Sequence, residues 1–178
     1  MDNIIKSIIL YASYYGTSKA YAEKLGQMTD IKVENQKDFN RYSDYDRFIY
    51  IGGLYAGKIK DLSQFLKKAG EKEVYIITVG MGNPEDAETV RIRMKQLKSQ
   101  LGNRVIGEDK IFHLNGAMDY DRMSTIHRLM MKGFCFALKK KPIEKRSEMD
   151  QDIIDSYNKS IDYKNFEDLE KIKEALSK

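Results

Sequence analysis

Short apolar runs alternate with segments of helical periodicity along the first two thirds of the chain. The apolar runs predict strands at residues 4–11, 31–34, 47–51, 73–79 and 110–115. The intervening segments predict helices at residues 17–28, 62–69 and 84–101, and a closing helix is expected at residues 166–176. Strands that are apolar along nearly their whole length are typical of a parallel sheet covered on both faces. With right-handed crossovers, this alternation predicts an α/β fold with a doubly wound, five-stranded parallel sheet.

A helical insertion is expected before the closing helix, in about fifty residues that the alternation of strands and helices does not require. Cations flank its apolar positions between Arg122 and Lys141, and lysines followed by a proline end the pattern. Such a helix either packs on the sheet with its polar side solvated, which we favour, or makes peripheral contact with an anionic membrane or an acidic partner. The apolar positions are Met123, Ile126, Leu129, Met130, Phe134, Ala137 and Leu138.

Composition limits the class of protein. The 178 residues suffice for one domain, so residues 1–178 are expected to form a single domain. An apolar content of 42% with 33% charged residues is typical of a globular protein, and no apolar run approaches a bilayer span. The first residues lack the pattern of a secretory signal, and a single cysteine cannot form an internal disulfide, so we expect a cytoplasmic location. The net charge of +4 is too small to indicate nucleic-acid binding.

A loop rich in hydroxyl groups follows the first strand. It consists of Ser13, Tyr14, Tyr15, Gly16, Thr17 and Ser18. The loop leads into a helix, whose unpaired N–H groups and dipole favour an anion. It therefore predicts a phosphate-binding cradle, although an ordinary helix cap is the alternative. The spacing fits neither a P-loop nor a dinucleotide fingerprint.

Two further loops are expected where the third and fourth strands end. They comprise Gly52, Gly53, Leu54, Tyr55, Ala56, Gly57 and Lys58, and then Gly80, Met81, Gly82 and Asn83. In a doubly wound sheet these loops emerge at the carboxyl edge, and ligands bind where the strand order reverses. We therefore expect all three loops to meet in space. Their glycines allow close approach of the backbone to a flat ring, although each is also compatible with an ordinary turn.

The first loop resembles the phosphate loop of the flavodoxin family, which reads T/S-x-T-G-x-T. Ser13, Gly16 and Ser18 match this pattern, whereas Tyr15 stands where a short hydroxyl residue is usual. The resemblance covers roughly the first 115 residues and implies the strand order 2-1-3-4-5 and FMN as the cofactor. It further implies that Tyr55 stacks on the flavin and that the third loop binds the polar edge of the flavin ring through Asn83 and Gly82. A surface tyrosine and a helix cap at Asn83 are the alternatives.

Short motifs give a narrower resemblance. Residues 116–120 with the Met-rich segment after them, residues 45–47 and residues 64–68 are similar to the branch that includes the bacterial menaquinone-dependent protoporphyrinogen dehydrogenase. We predict an FMN-binding, flavodoxin-type redox protein that carries electrons between partners, either redox proteins or a quinone. The alternatives are an enzyme like that dehydrogenase and an interaction domain without flavin. Since the flavin carries the redox chemistry, no catalytic acid or base is expected.

The remaining chemistry-bearing side chains indicate structural roles. His113 and His127 lack metal-ligand spacing, so we interpret both as structural or surface groups and predict no metal site. Cys135 lies within an apolar helical pattern and is expected to be a small buried hydrophobe.

Overall fold

The computed structural model describes residues 5–177. In chain order the elements are β1 (Ser7–Ala12), α1 (Thr17–Thr29), β2 (Val33–Asn35), β3 (Arg47–Tyr55), β4 (Lys58–Ile59), α2 (Leu62–Ala69), β5 (Glu73–Gly80), α3 (Ala87–Leu101), β6 (Ile111–Asn115), β7 (Ala117–Met118), α4 (Thr125–Lys139), α5 (Glu148–Asp155), β8 (Ile161–Asp162) and α6 (Leu169–Leu176).

The main sheet has the order β2-β1-β3-β5-β6, and all of these strands are parallel. Counting these strands alone, this is the order 2-1-3-4-5, so the predicted doubly wound fold is confirmed. Strand β4 adds an antiparallel pair to the end of β3, and β7 pairs with β8 in a separate two-stranded ribbon. Because the order reverses between β1 and β3, the loops after these strands flank the position where such sheets bind ligands.

Apolar side chains alternate between two cores, one on each face of the sheet. Helices α2 and α3 contribute Phe65 and Leu97 to the first core, which also contains Ile8 and Phe48. Helices α1 and α6 cover the other face, where Leu25 packs in the second core. Burial on both faces explains why the strands are almost continuously apolar.

Several predicted boundaries are wrong. The third strand does not end before Gly52; it continues through both glycines to Tyr55, and the two-residue turn Ala56-Gly57 joins it to β4. A Cβ on Gly52 would lie 2.4 Å from Ile59 of β4, so this glycine permits close packing within the hairpin. The start of the predicted first strand, Ile4, lies outside the described residues.

Two helices begin later than predicted. Helix α3 begins at Ala87 rather than at Pro84, because the Asp86 side chain accepts a hydrogen bond from the Thr89 N–H and caps the helix. Helix α6 begins at Leu169, not at residue 166. The second strand is shifted to Val33–Asn35.

The insertion forms two helices, α4 and α5, and the favoured prediction for α4 is wrong in its main feature. Helix α4 packs on α5 through Cys135 and Leu138 instead of lying on the sheet. Most of its predicted apolar face is exposed to solvent, including Ile126 and Leu129. The prediction for Cys135 is confirmed, because its side chain is buried. Within residues 5–177, none of the helices combines the length and the apolar character required to cross a bilayer.

The interpretation of His113 as a structural group is confirmed and leads to a pH prediction. His113 on β6 shares a 2.7 Å hydrogen bond with Thr78 on β5. Burial, with a smaller contribution from the charge of Arg93, lowers the pKa of His113 to about 4. The histidine of the unfolded chain has a pKa near 6.5. Between these values the unfolded state binds more protons, so the stability of the native state falls as the pH falls.

The wild type is expected to lose free energy of unfolding when the pH falls from about 7 to about 4.5. We expect this loss to be smaller by about 2 kcal/mol in His113→Gln. Glutamine keeps a hydrogen-bonding group beside Thr78 but does not titrate. Urea unfolding at both pH values measures the effect. Equal pH dependence in the wild type and the variant would contradict the burial of a neutral histidine.

Candidate functional site

The three loops predicted to meet do so at the carboxyl edge of the sheet. The Tyr14 N–H of the first loop donates a 3.3 Å hydrogen bond to the Tyr55 hydroxyl at the end of β3. A Cβ on Gly80, at the start of the third loop, would lie 2.9 Å from Leu54, so these two segments are in direct contact. The Gly116 N–H donates a 2.7 Å hydrogen bond to the Gly80 carbonyl, which brings the segment after β6 to the same edge.

The first loop forms a preorganised turn at the start of α1. Gly16 has a φ of 93°, which is a conformation that glycine adopts without steric cost. Its N–H donates a 2.9 Å hydrogen bond to Oγ of Ser13, and this bond closes the loop. Ser18, in the first turn of α1, is 1% exposed, and within residues 5–177 its Oγ has no hydrogen-bond partner. A buried hydroxyl without a partner costs free energy, so this atom is suited to a bound acceptor.

The N-terminus of α1 also differs from those of other helices in its charge. Among the residues that the structure describes, no side chain caps α1, and the first turn of this helix contains no acidic residue. Helices α3 and α5 are instead capped by Asp86 and Ser147 and have acidic residues in their first turns. The first N–H groups of α1 and its positive dipole end therefore remain available to an external anion.

The second loop is the tight hairpin between β3 and β4. Ala56 and Gly57 both have positive φ, 47° and 76°, as expected for the two central residues of a type I′ turn. The Gly53 carbonyl accepts a 2.9 Å hydrogen bond from the Lys60 N–H, which fixes the base of the hairpin. A Cβ on Gly53 would lie 2.6 Å from the Tyr55 ring, so the glycine lets this ring lie against the strand.

Four rings form a cluster where the first two loops meet α4. Tyr14 packs edge-on against Tyr55 with ring centroids 4.5 Å apart, and Tyr55 is nearly parallel to His127 at 6.3 Å. The Tyr15 hydroxyl and Nδ1 of His127 share a hydrogen bond. Burial raises the pKa of the Tyr55 hydroxyl, so Tyr55 remains neutral at physiological pH. Most of these rings meet edge-on, and the cluster lies beside the first loop.

His127 joins α4 to this ring cluster. The predicted structural role of His127 is compatible with its imidazole contacts to Tyr14, Tyr15 and Tyr55. Its sequence neighbourhood gives no signal of these contacts, because those with Tyr14 and Tyr15 join residues more than a hundred positions apart.

A cavity of about 410 Å³ adjoins the first loop. Tyr15, Gly16 and Thr17 form one wall. Asp119 and Arg122, which follow β7, also line the cavity, as do Asp162 and Lys164 at the end of β8. Lys164 is paired with Asp162 through a 2.5 Å contact, whereas Arg122 is exposed.

The Tyr21 hydroxyl links α1 to the two segments that flank the insertion. It donates a 2.8 Å hydrogen bond to the Asn115 carbonyl and accepts a 2.9 Å bond from the Asn165 N–H. Burial raises the pKa of Tyr21 to about 12. The tyrosine therefore ties α1 to both ends of the insertion, and the cavity is built from segments that are distant in sequence.

The third loop is held by a buried arginine that the sequence analysis did not identify. Arg93 on α3 is 1% exposed, and its guanidinium donates hydrogen bonds of 2.9 to 3.1 Å to the carbonyls of Gly80, Met81, Gly82 and Leu114. Burial lowers the pKa of Arg93 to about 10, so the group remains charged at neutral pH. A signal was present, because Thr89, Arg93 and Leu97 are spaced by four residues on one buried helical stripe.

The insertion covers the third loop from the outside. A Cβ on Gly82 would lie 2.9 Å from the Met149 side chain of α5, and Met81 packs against the α4–α5 cluster. Asn83 does not cap α3, contrary to one of the predicted roles; its Oδ1 accepts a 3.0 Å hydrogen bond from the Glu85 N–H in a local turn. Contacts of Gly82 and Asn83 with a flavin ring remain predictions.

Comparison with known proteins gives a family match. A family model described as Flavodoxin domain matches residues 8–145. No curated protein matches the chain significantly.

Solved structures similar to the chain have low sequence identity to it. A flavodoxin from the domain Archaea is 15% identical, with a TM-score of 0.43, and the match covers 66% of this chain and 88% of that one. Oxidised Flavodoxin 2 from Bacillus cereus is 17% identical, with a TM-score of 0.42 and coverage of 62% and 84%. A flavoprotein from Lactobacillus acidophilus NCFM, whose structure contains FMN, is 16% identical, with a TM-score of 0.42 and coverage of 63% and 91%.

The family assignment rests on the domain match, which spans most of the chain and includes the first three loops, the buried arginine of α3 and helix α4. The protein therefore belongs to the flavodoxin domain family.

Proposed function

We propose that this protein binds FMN at the carboxyl edge of its sheet and acts as a flavodoxin-type redox protein. The observation that carries the proposal is the buried Oγ of Ser18, which has no partner within residues 5–177 and lies at the uncapped, acid-free N-terminus of α1. A phosphate accepts hydrogen bonds from such a hydroxyl and from the first N–H groups of the helix. Membership of the flavodoxin domain family supports the same cofactor.

The chain offers a group for each part of FMN. Thr17 and Ser18 suit the phosphate, and Ser13 maintains the shape of the cradle through its bond to Gly16. The ring of Tyr55 suits the face of the flavin, because aromatic rings stack with offset geometry. The backbone of residues 80–83, held in place by Arg93, suits the polar edge of the ring.

FMN supplies the electron-transfer chemistry when it is bound. The protein orients the ring, excludes water from one face and offers backbone hydrogen bonds at its edge. The carbonyl groups of the β3–β4 turn would be the candidate acceptors of a hydrogen bond from the N5–H group of a reduced flavin. No side-chain acid or base is required for this chemistry.

Titration of the apoprotein with FMN tests the proposal directly. We expect binding of one FMN per chain and quenching of flavin fluorescence. Tyr55→Ala is expected to weaken binding by roughly 10- to 100-fold, because it removes a stacked ring worth about 1–3 kcal/mol. Tyr163→Ala is the matched control, since Tyr163 is 47% exposed and lies outside the ring cluster. Absence of FMN binding would overturn the proposal and favour an interaction domain without flavin.

A second candidate function is a quinone-dependent enzyme like the protoporphyrinogen dehydrogenase. The exposed apolar face of α4 favours it, because this helix begins at the ring cluster and a lipid-soluble acceptor requires an apolar surface. Menaquinone-dependent oxidation of protoporphyrinogen IX by the FMN-loaded protein tests this candidate. If FMN binds but this activity is absent, the function as an electron carrier remains the better account.

A further inference from the structure

Helix α4 presents a continuous apolar surface to solvent. Successive residues of an α-helix are rotated by about 100°, so the apolar residues of α4 outside its packed side span an arc of roughly 160°. The five large side chains of this arc are between 47% and 72% exposed. Two small residues, Gly133 and Ala137, complete the arc, and no polar residue interrupts it. The five large side chains are those of Phe136, Leu129, Ile126, Met130 and Phe134.

The opposite side of α4 explains why this arc is uncovered. Cys135 and Leu138 face α5 and are buried with Ile153. Helix α4 therefore uses a narrow stripe for packing, and the wider apolar arc lies outside the protein core. Ile143, just after the helix, is 76% exposed and extends the apolar surface. Exposed apolar surface of this extent is typical of an interaction site.

Cations border the arc on one side. Arg128, Lys132 and Lys139 lie within roughly 40° of one another around the helix axis, next to the position of Phe136. The Lys140 ammonium lies 4.5 Å from the centroid of the Phe136 ring. From residue 122 to residue 143 the chain contains six lysine and arginine residues and no acidic residue, although 27 of its 178 residues are acidic. The exposed surface of α4 therefore combines an apolar face with a border of positive charge.

We infer that α4 is a docking element for an anionic membrane surface. An amphipathic helix with an apolar face and flanking cations lies in the bilayer interface, where the apolar residues enter the acyl boundary and the cations contact anionic headgroups. The acid-free stretch is complementary in charge to such headgroups. It would also repel the same stretch of a second copy of this chain, which disfavours a dimer through this face.

The position of α4 connects this surface with the ring cluster. His127, in the first turn of α4, contacts Tyr15 and Tyr55, whereas Ile126 and Leu129 point away from them into solvent. Docking of the apolar arc therefore brings the carboxyl edge of the sheet close to the bilayer. The inference does not depend on FMN binding, because it concerns the outer side of the helix.

Sedimentation with vesicles tests the inference on the full chain. We expect binding to vesicles of phosphatidylcholine containing about one third phosphatidylglycerol, and at least about tenfold weaker binding to pure phosphatidylcholine. The triple variant Arg128→Gln, Lys132→Gln, Lys139→Gln is expected to bind the anionic vesicles about 100-fold more weakly. A charge-matched control replaces Lys24, Lys95 and Lys98, which are exposed on α1 and α3, by glutamine.

A tryptophan reporter tests insertion of the apolar arc. The chain contains no tryptophan, so Phe136→Trp gives a single emission signal. We expect a blue shift of this emission when anionic vesicles are added. Val105→Trp is the control, because residue 105 is 94% exposed and lies outside the insertion; its emission is expected to remain unchanged.

Leu129→Glu is expected to lower vesicle affinity by roughly tenfold or more, since it replaces an apolar contact with a charge that anionic lipid repels. Binding that is equal for the triple variant and its charge-matched control would overturn the inference. Failure of the wild type to bind anionic vesicles would also overturn it, and so would a dimer that Leu129→Glu converts to a monomer without any vesicle binding.

Discussion

Replacement of Thr17 by glutamate is expected to abolish FMN binding while the protein remains folded. Thr17 is the first residue of α1, where a carboxylate interacts favourably with the helix dipole by about 0.3–1 kcal/mol. The same carboxylate lies at the position proposed for the phosphate, and two like charges in contact cost several kcal/mol. We therefore expect FMN affinity to fall by at least about 1000-fold, measured by fluorescence titration.

Two comparisons separate repulsion of the phosphate from general damage. The glutamine of Thr17→Gln has nearly the same size as the glutamate of Thr17→Glu but no charge. This variant is expected to retain most of the affinity for FMN. Riboflavin lacks the phosphate, so its affinity is expected to change less than about threefold in Thr17→Glu. Thermal unfolding of the apoprotein is expected to be unchanged or slightly higher. Wild-type FMN affinity in Thr17→Glu would remove the N-terminus of α1 from the site.

Arg93→Met is expected to have the largest effect on the stability of the protein. The substitution leaves the carbonyls of Gly80, Gly82 and Leu114 without their buried donor, and each hydrogen bond to a charged group contributes about 1.5–3 kcal/mol. Relief from burying an uncompensated charge offsets part of this loss. We expect the free energy of unfolding to fall by about 3 kcal/mol, as measured in urea.

FMN binding is expected to weaken in the same variant, by about 10- to 100-fold, because the third loop loses the groups that fix its backbone. Arg91→Met is the matched control on the same helix. Arg91 is exposed and paired with Glu88 across one helical turn, so its replacement is expected to cost less than about 0.5 kcal/mol. If both variants unfold at the same urea concentration, the structural role of Arg93 is refuted.

The parallel sheet could be predicted because its signal is local. Residues such as Ile8, Phe48 and Ile76 alternate with Ile9, Ile49 and Ile77 between the two cores, and every one of these positions is apolar. The strands therefore read as continuous apolar runs, and right-handed crossovers leave few topologies. The boundary errors have local causes as well. Residues 52–55 read as a glycine-rich loop, but β4 pairs with them and extends the strand.

The convergence of the three loops was also predictable, since it follows from the strand order. The residues that hold these loops in place could not be predicted from the sequence. Arg93 lies on a helical stripe with Thr89 and Leu97, and this spacing indicates that its side chain is buried. The spacing does not indicate that the guanidinium donates hydrogen bonds to four backbone carbonyl groups. His127 joins Tyr15 across more than a hundred residues. Such contacts depend on how elements pack, and no short stretch of sequence encodes them.

The sequence by itself determined the order of strands and helices, the two faces of the sheet and the loops that gather at its edge, because hydrophobic periodicity and turn chemistry act over a few residues. Only the tertiary structure decided which side of α4 is covered. Periodicity identifies an amphipathic helix, but the part of its apolar side that is buried depends on which neighbouring elements reach it. Here α5 reaches Cys135 and Leu138, and the rest of the apolar arc remains in solvent.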